Sequence, residues 1–297
     1  MHKKSSMALL LPLLIAFLIA TPATAYTGAW STYASPTRIQ EGKTTQIHVR
    51  VTGGNASAAY TVKVYVTDSS GWSTYWVSWV INTNASGNAD DYKTYPTDFS
   101  GGAHTNYVGI YPIRVDITAP AGEVASGVAT GYFIVGLTDK TSYQRTETVG
   151  YQASGFGSSE GVWVNILDWT GASVTGYPKL TAANGTGYVT GTWKIPKDQP
   201  IGTHTITFSG ASTIKPILDS QVFLVSKAVL TIVGFTTCDV DGNLKIVFDR
   251  TETVYAKFKV VYPDGSEYKL GTWGVQIKNP AGTVVTTLSA SYSTTLG

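Results

Sequence analysis

The chain has 297 residues, with 21 Lys and Arg, 19 Asp and Glu and a single Cys. At roughly 100–150 residues per domain, this length suggests two or three domains. Only 13% of residues are charged, against 12% aromatic and 31 Gly, which excludes a coiled coil. One Cys excludes a disulfide scaffold and a Cys-based zinc or iron–sulfur centre, and 43% hydrophobic residues argue against disorder. What remains is an all-β protein rich in Thr, Tyr, Val and Gly.

Residues 1–25 read as a secretory signal peptide. Lys3 and Lys4 precede an apolar run from Ala8 to Ala20, and Ala23-Thr24-Ala25 forms a small-residue cleavage site before Tyr26. The run contains Pro12 and is shorter than the roughly 20 residues of a membrane span, so an uncleaved anchor is the weaker reading. Removing Lys3 and Lys4 with the segment leaves 19 basic against 19 acidic residues. With no basic run in the remainder, a nucleic-acid partner is not expected. Membrane attachment is expected only through an uncleaved signal or a missing C-terminal region.

The remainder repeats itself. Arg145-Thr146-Glu147-Thr148-Val149 recurs as Arg250-Thr251-Glu252-Thr253-Val254, with a weaker copy at Ile39-Gln40-Glu41-Gly42-Lys43-Thr44-Thr45. A second set lies 100 residues apart: Val64, Asp68 and Gly71 match Val164, Asp168 and Gly171. Asn84 and Gly87 match Asn184 and Gly187, and Pro96 and Asp98 match Pro196 and Asp198. The stretch from Gly109 then matches that from Gly202, after an insertion of seven residues in the first copy. A period this long marks an array of domains rather than a solenoid.

The local pattern is that of strands. Residues 46–51, 61–66, 161–166, 203–208 and 255–260 alternate polar and apolar side chains, and turn signals such as Asn184-Gly185, Asp241-Gly242 and Asp264-Gly265 separate such runs. No helical stripe follows residue 25. Each strand must bury one face, and a second sheet is the cover available. The expected fold is therefore all-β: tandem antiparallel immunoglobulin-like β-sandwiches after an N-terminal signal peptide. The expected units are 1–25 (signal peptide), 26–135, 136–226 and 227–297. The last stops before any match to the closing strands of the second, so it reads as an incomplete sandwich, part of a longer protein or completed by a partner strand. A naturally smaller domain is the alternative. The joints between units are short, which implies a semi-rigid rod.

The second repeat, with Asp139-Lys-Thr-Ser-Tyr143, Arg145 to Val149, Gly191-Thr-Trp-Lys-Ile-Pro196 and Gly202-Thr-His-Thr-Ile-Thr207, resembles the immunoglobulin-like repeats of prokaryotic, especially archaeal, cell-surface proteins. The third, with Val260-Val-Tyr-Pro-Asp-Gly-Ser266 and Val275-Gln-Ile-Lys-Asn-Pro280, resembles a macroglobulin-type sandwich of the same broad, fibronectin-like group. The resemblance implies stalks, spacers or adhesive modules. It rests on turn and core positions, and the first repeat shares it loosely.

No catalytic constellation stands out. His48, His104 and His204 are scattered without zinc-ligand spacing, and no Gly-x-Ser-x-Gly elbow occurs. Asp90-Asp91 would point to opposite faces of a strand. Asp239-Val-Asp241-Gly-Asn243 reads better as a β-turn than as a calcium loop, because its Gly is misplaced and the distal Glu is missing. Cys238 reads as a small buried hydrophobe, with an intermolecular disulfide as the alternative. No catalytic residue, metal or cofactor is therefore expected.

Two surface features remain. Asn55, Asn84 and Asn184 head Asn-x-Ser/Thr sequons at expected turns, where N-glycosylation or ordinary turn chemistry accounts for them equally. Residues 72–79 hold Trp72, Tyr75, Trp76 and Trp79, a candidate aromatic binding surface. On a strand, Trp72 and Trp76 share one face and Tyr75 and Trp79 the other. The preferred reading has both faces covered, one by the second sheet and one by residues 96–109. The expectation is a non-enzymatic, extracellular or cell-surface rod of repeats acting as spacer, coat component or adhesion stalk. Its partners would be cell-surface proteins or glycans. The alternatives are a carbohydrate-binding module and a noncatalytic part of a larger secreted hydrolase.

Overall fold

The computed structural model describes residues 26–292; the expected signal peptide lies outside them. The protein is all-β, with nineteen strands and one 3-10 turn, Ala121–Glu123, among the described residues. The first eight strands are β1 (Ala29–Ser35), β2 (Arg38–Gln40), β3 (Thr45–Thr52), β4 (Ala59–Thr67), β5 (Thr74–Asn82), β6 (Ala89–Tyr95), β7 (Gly109–Ala119) and β8 (Ala125–Gly136). They form a three-stranded sheet, β1-β3-β6, and a five-stranded sheet, β2-β8-β7-β4-β5. Pairing is antiparallel except between β2 and β8.

The alternation in sequence becomes the core. On β3 the inward residues are Ile47, Val49 and Val51, and on β4 they are Tyr60, Val62, Val64 and Val66. With Tyr95, Tyr111 and Phe133 they fill the space between the sheets. Each such aliphatic side chain contributes roughly 1.5–3 kcal/mol on burial.

The next seven strands repeat the plan: β9 (Ser142–Gln144), β10 (Thr148–Ala153), β11 (Gly161–Leu167), β12 (Lys179–Ala182), β13 (Val189–Lys194), β14 (Gly202–Gly210) and β15 (Asp219–Ser226). The order β12-β11-β14-β15-β9 matches β5-β4-β7-β8-β2, down to the parallel pair at its end. The smaller sheet is β10-β13, and a Thr138↔Tyr151 bridge stands where β1 pairs with β3 in the first sandwich. Leu137, Tyr143, Val164, Trp193 and Phe223 belong to a second, separate core.

Four strands follow: β16 (Thr231–Cys238), β17 (Tyr255–Val261), β18 (Thr272–Lys278) and β19 (Val284–Ser291), paired as β16-β17 and β18-β19. In chain order these correspond to β1-β3 and β4-β5 of the first sandwich. Among the described residues nothing corresponds to β6, β7 and β8, and Cys238 and Val260 are the buried hydrophobic residues of this region.

The repeated Arg-Thr-Glu-Thr-Val motif is a turn followed by a strand. Lys43 N donates to Gln40 O, Glu147 N to Gln144 O and Glu252 N to Asp249 O, at 3.1, 3.1 and 3.0 Å. The third residue of each turn is left-handed: Gly42 at φ +73°, Thr146 at +70° and Thr251 at +79°. The two threonines occupy a region that L-residues seldom adopt. In this register Glu41 stands where the later units carry Arg145 and Arg250.

Candidate functional site at the joint of the first two sandwiches

The first two sandwiches meet through a dense set of hydrogen bonds. Gln40 Nε2 donates to Leu137 O at 2.9 Å, and the Tyr188 hydroxyl donates to Gly42 O at 3.1 Å. Glu41 N donates to Gly136 O at 2.9 Å, while the bonds from Gly42 N to Thr105 O at 3.0 Å and from Gln152 N to Leu137 O at 2.8 Å brace the first and second sandwiches on either side. Gln221 Oε1 accepts from Leu137 N at 2.5 Å and from Thr138 N at 3.2 Å, so the connecting segment is held along its length.

Charge is buried at the centre. Glu41 has no exposed surface, and its Oε2 accepts from Lys215 Nζ at 3.0 Å and from Ser154 N at 2.9 Å. Lys215 Nζ also donates to Asp219 Oδ2 at 2.5 Å and Asn106 O at 3.1 Å, and lies 4.5 Å from the centre of the Phe156 ring. Gln152 Nε2 donates to Glu41 O, and Ser154 Oγ donates to Asn106 Oδ1 at 3.0 Å. Burial, then the neighbouring Asp219 charge, pushes the Glu41 carboxyl well above its ordinary value, against the pull of Lys215 and Ser154. Burial raises Asp219 as well, opposed by Lys215. An ion cluster of this kind is costly to desolvate and more costly to break by removing one member.

Asn106 and Thr105 belong to the segment inserted in the first repeat. This segment packs His104 against Tyr75 but leaves Trp72 and Trp76 exposed, and it does two other things. It supplies acceptors to the joint, and it caps the free edge of β5, where Ser100 N donates to Trp76 O at 2.8 Å and Trp76 N to Ser100 Oγ at 3.0 Å. An edge strand closed in this way is protected from pairing with other chains.

The connection to the residues after 226 is built differently. Val229 N donates to Gln144 Oε1 at 2.7 Å, and Lys194 pairs with Asp264 at 2.6 Å with its side chain 64% exposed. Arg145 turns back to its own sandwich, Nε donating to Gln199 O at 2.6 Å.

The four aromatic residues of 72–79 do not form one surface. Trp72 is 87% exposed and Trp76 46%. Tyr75 and Trp79 are half-buried against the first core. The expectation that both faces are covered is corrected for Trp72 and Trp76, because the covering segment lies along the strand edge. Trp76, Tyr65 and Arg114 are register partners across β5, β4 and β7. Lys63 Nζ lies 4.0 Å from the centre of the Trp76 ring, and the Arg114 guanidinium 4.3 Å from that of Tyr65.

The sequon asparagines are exposed, but their amides differ. Asn55 Nδ2 donates to Glu123 Oε1 at 2.8 Å. Asn84 and Asn184 use Oδ1 to hold their own turns, from Ser86 N and Asn88 N in one case and Thr186 N and Tyr188 N in the other.

The remaining residues singled out by sequence do not converge. Asp90 accepts from Tyr33, His48 and Arg50 on the outer face of the small sheet, while Asp91 Oδ1 accepts from Tyr92 N. His204 is a core residue facing Gln199 and Gly202, and burial lowers its pKa. Asp239 Oδ1 accepts from the amides of Asp241 and Asn243, as a turn residue does. Cys238 is buried. Among the described residues, no three His, Cys, Asp or Glu side chains gather as metal ligands.

No family model matches the chain, and no curated protein matches it. Among solved structures, it is similar to a tetra-tandem repeat in the extending region of a large adhesion protein, at 13% identity and a TM-score of 0.25, covering 91% of this chain and 75% of that one. It is similar to red sea bream transglutaminase at 9% identity and a TM-score of 0.30, covering 67% of this chain and 31% of that one. It is also similar to the native conformation of E. coli alpha-2-macroglobulin, at 12% identity and a TM-score of 0.25, covering 90% of this chain and 20% of that one. Likeness this loose does not place the chain in a family.

Proposed function

We propose that this is a non-enzymatic, exported cell-surface protein whose sandwiches serve as a stiff spacer. The observation that carries the reading is the joint: Glu41, Lys215 and Asp219 are buried between two independent cores and hydrogen-bonded from both sides. A flexible linker would need none of this. Export rests on residues 1–25. The test is to express the whole chain in a secreting host, determine the first residue of the exported product and label intact cells with an impermeant reagent. A product beginning at Tyr26 and labelled at the surface supports the reading. A chain retained inside with residues 1–25 intact contradicts it.

A second reading is favoured by Trp72 and Trp76, which stand exposed on the first sandwich, Trp76 beside Lys63. Exposed aromatic rings on a sheet face suit stacking on sugar rings. A glycan array with the mature chain and Trp76→Ala tests it: retention of a glycan that the substitution abolishes supports adhesion, and no retention of any glycan contradicts it.

A further inference from the structure

Two oxygens inside the joint have no hydrogen-bond partner: Glu41 Oε1 and Asp219 Oδ1. The parent residues are 0% and 1% exposed. Their other oxygens, Glu41 Oε2 and Asp219 Oδ2, are bridged by Lys215 Nζ at 3.0 and 2.5 Å. One buried ammonium thus holds the two carboxyl groups side by side. Ionised carboxylates only accept, so neither orphaned oxygen can serve the other while both groups are charged. Two negative charges this close in a buried site oppose each other's ionisation. A single proton turns one of the oxygens into a donor and satisfies both. It also brings the Glu41–Lys215–Asp219 cluster to zero net charge.

We propose that at neutral pH the joint holds one proton shared between Glu41 Oε1 and Asp219 Oδ1, and that losing it in alkaline solution uncouples the first two sandwiches. The proposal rests on the spacer reading and adds a control to it. The direction follows from linkage. A carboxyl whose folded-state pKa is raised stabilises the folded joint fully below its ordinary range, and that contribution is lost as pH rises through the raised value. Burial, then Asp219, raises Glu41, against Lys215 and the Ser154 amide.

Other titratable groups face the cluster. Tyr111 on β7 senses Glu41, and burial pushes its hydroxyl above the ordinary value of 10.0. His104, in the inserted segment, senses Lys215, and burial pushes it below 6.5. Both are therefore neutral between these values and do not account for a transition there. Arg38 is the other cation at the joint, its guanidinium packed over Gly136 beside Gln221 Oε1.

The test is 15N relaxation and side-chain 13C titration on the mature chain, wild type and Glu41→Gln, between about pH 6.5 and about pH 9.5. The substituted amide gives Asp219 Oδ1 a permanent donor, while its carbonyl still accepts from Lys215 and Ser154. The expected wild type tumbles as one body at the lower pH and as two at the higher, with the Glu41 carboxyl signal moving in the same window. Glu41→Gln is expected to stay one body throughout. A wild type coupled at every pH, with Glu41 already ionised at the lower limit, overturns the proposal and leaves the spacer reading standing. So does a Glu41→Gln chain that uncouples as the wild type does. A wild type that tumbles as two bodies at every pH overturns the spacer reading and this proposal with it. The wild-type 13C titration decides the matter alone if the variant does not fold.

Discussion

Gly42 of the first sandwich lies against Tyr188 of the second. The Tyr188 hydroxyl donates to Gly42 O at 3.1 Å, and a Cβ on Gly42 would lie 2.1 Å from Cε1 of the Tyr188 ring. The left-handed φ of +73° disfavours a side chain on separate grounds. Thr146 and Thr251 show that a threonine can hold this turn elsewhere, so contact with the neighbouring sandwich, more than the turn, demands glycine here.

Gly42→Ala is therefore expected to open the joint while both sandwiches stay folded. The strain of a left-handed alanine is about 1–2 kcal/mol, and the ring contact adds to it. Chemical shifts that change only around residues 40–43, 105–106, 152–154 and 188 support this. Loss of strand signals throughout the first sandwich contradicts it.

Lys215→Met is expected to destabilise the coupled pair by about 3–5 kcal/mol, because it strands two buried carboxyls without their cation. Denaturant melts of the mature chain measure this. A loss below about 1 kcal/mol, typical of exposed ion pairs, would mean that the cluster is hydrated.

A second carboxylate carries the opposite pH sign. Glu160 accepts from Thr213 Oγ1 and from the amides of Thr213, Ser212 and Gly157, which lowers its pKa to about 2. Its contribution is present above the ordinary value of 4.5 and is lost as pH falls through about 2. Acid is thus expected to release residues 211–213 from Glu160. Hydrogen exchange of the Ser212 and Thr213 amides should quicken relative to that of the β14 strand amides as pH falls toward that value, and Glu160→Gln should show the quickened exchange already at neutral pH. Uniform exchange in both regions would contradict it.

The tryptophans of 72–79 should separate by stability. Trp72→Ala is expected within about 0.5 kcal/mol of wild type, as for an exposed site. Trp79→Ala, half-buried against the first core, is expected to cost about 2 kcal/mol, below the range for a fully buried aromatic. Thermal melts of the two variants check this, and equal midpoints would contradict the placement.

These residues show what a single sequence discloses. Residues 61–66 announce β4 because Val62, Val64 and Val66 obey a period of two that burial enforces on a sheet face. The matching positions 100 residues on announce the second sandwich for the same reason. The joint leaves no such mark. Glu41 sits in a repeat copy whose other members carry arginine, and a lone glutamate in a turn looks solvated. Its partner Lys215 is 174 residues away. The inserted segment looks like a cover for the tryptophans because sequence gives its length and not its direction. Trp72 and Trp76 mislead because tryptophan is usually buried, whereas here one sits in a turn and the other on the outer face of an edge strand.

The rigid joint is tested most directly by a distance distribution across it. Spin labels at the exposed positions Ser126 and Thr170, in a Cys238→Ser background of the mature chain, report on the first and second sandwiches. A single narrow distance at neutral pH, broadened by Lys215→Met, is the predicted result. A broad distribution in the chain that keeps Lys215 would contradict the account.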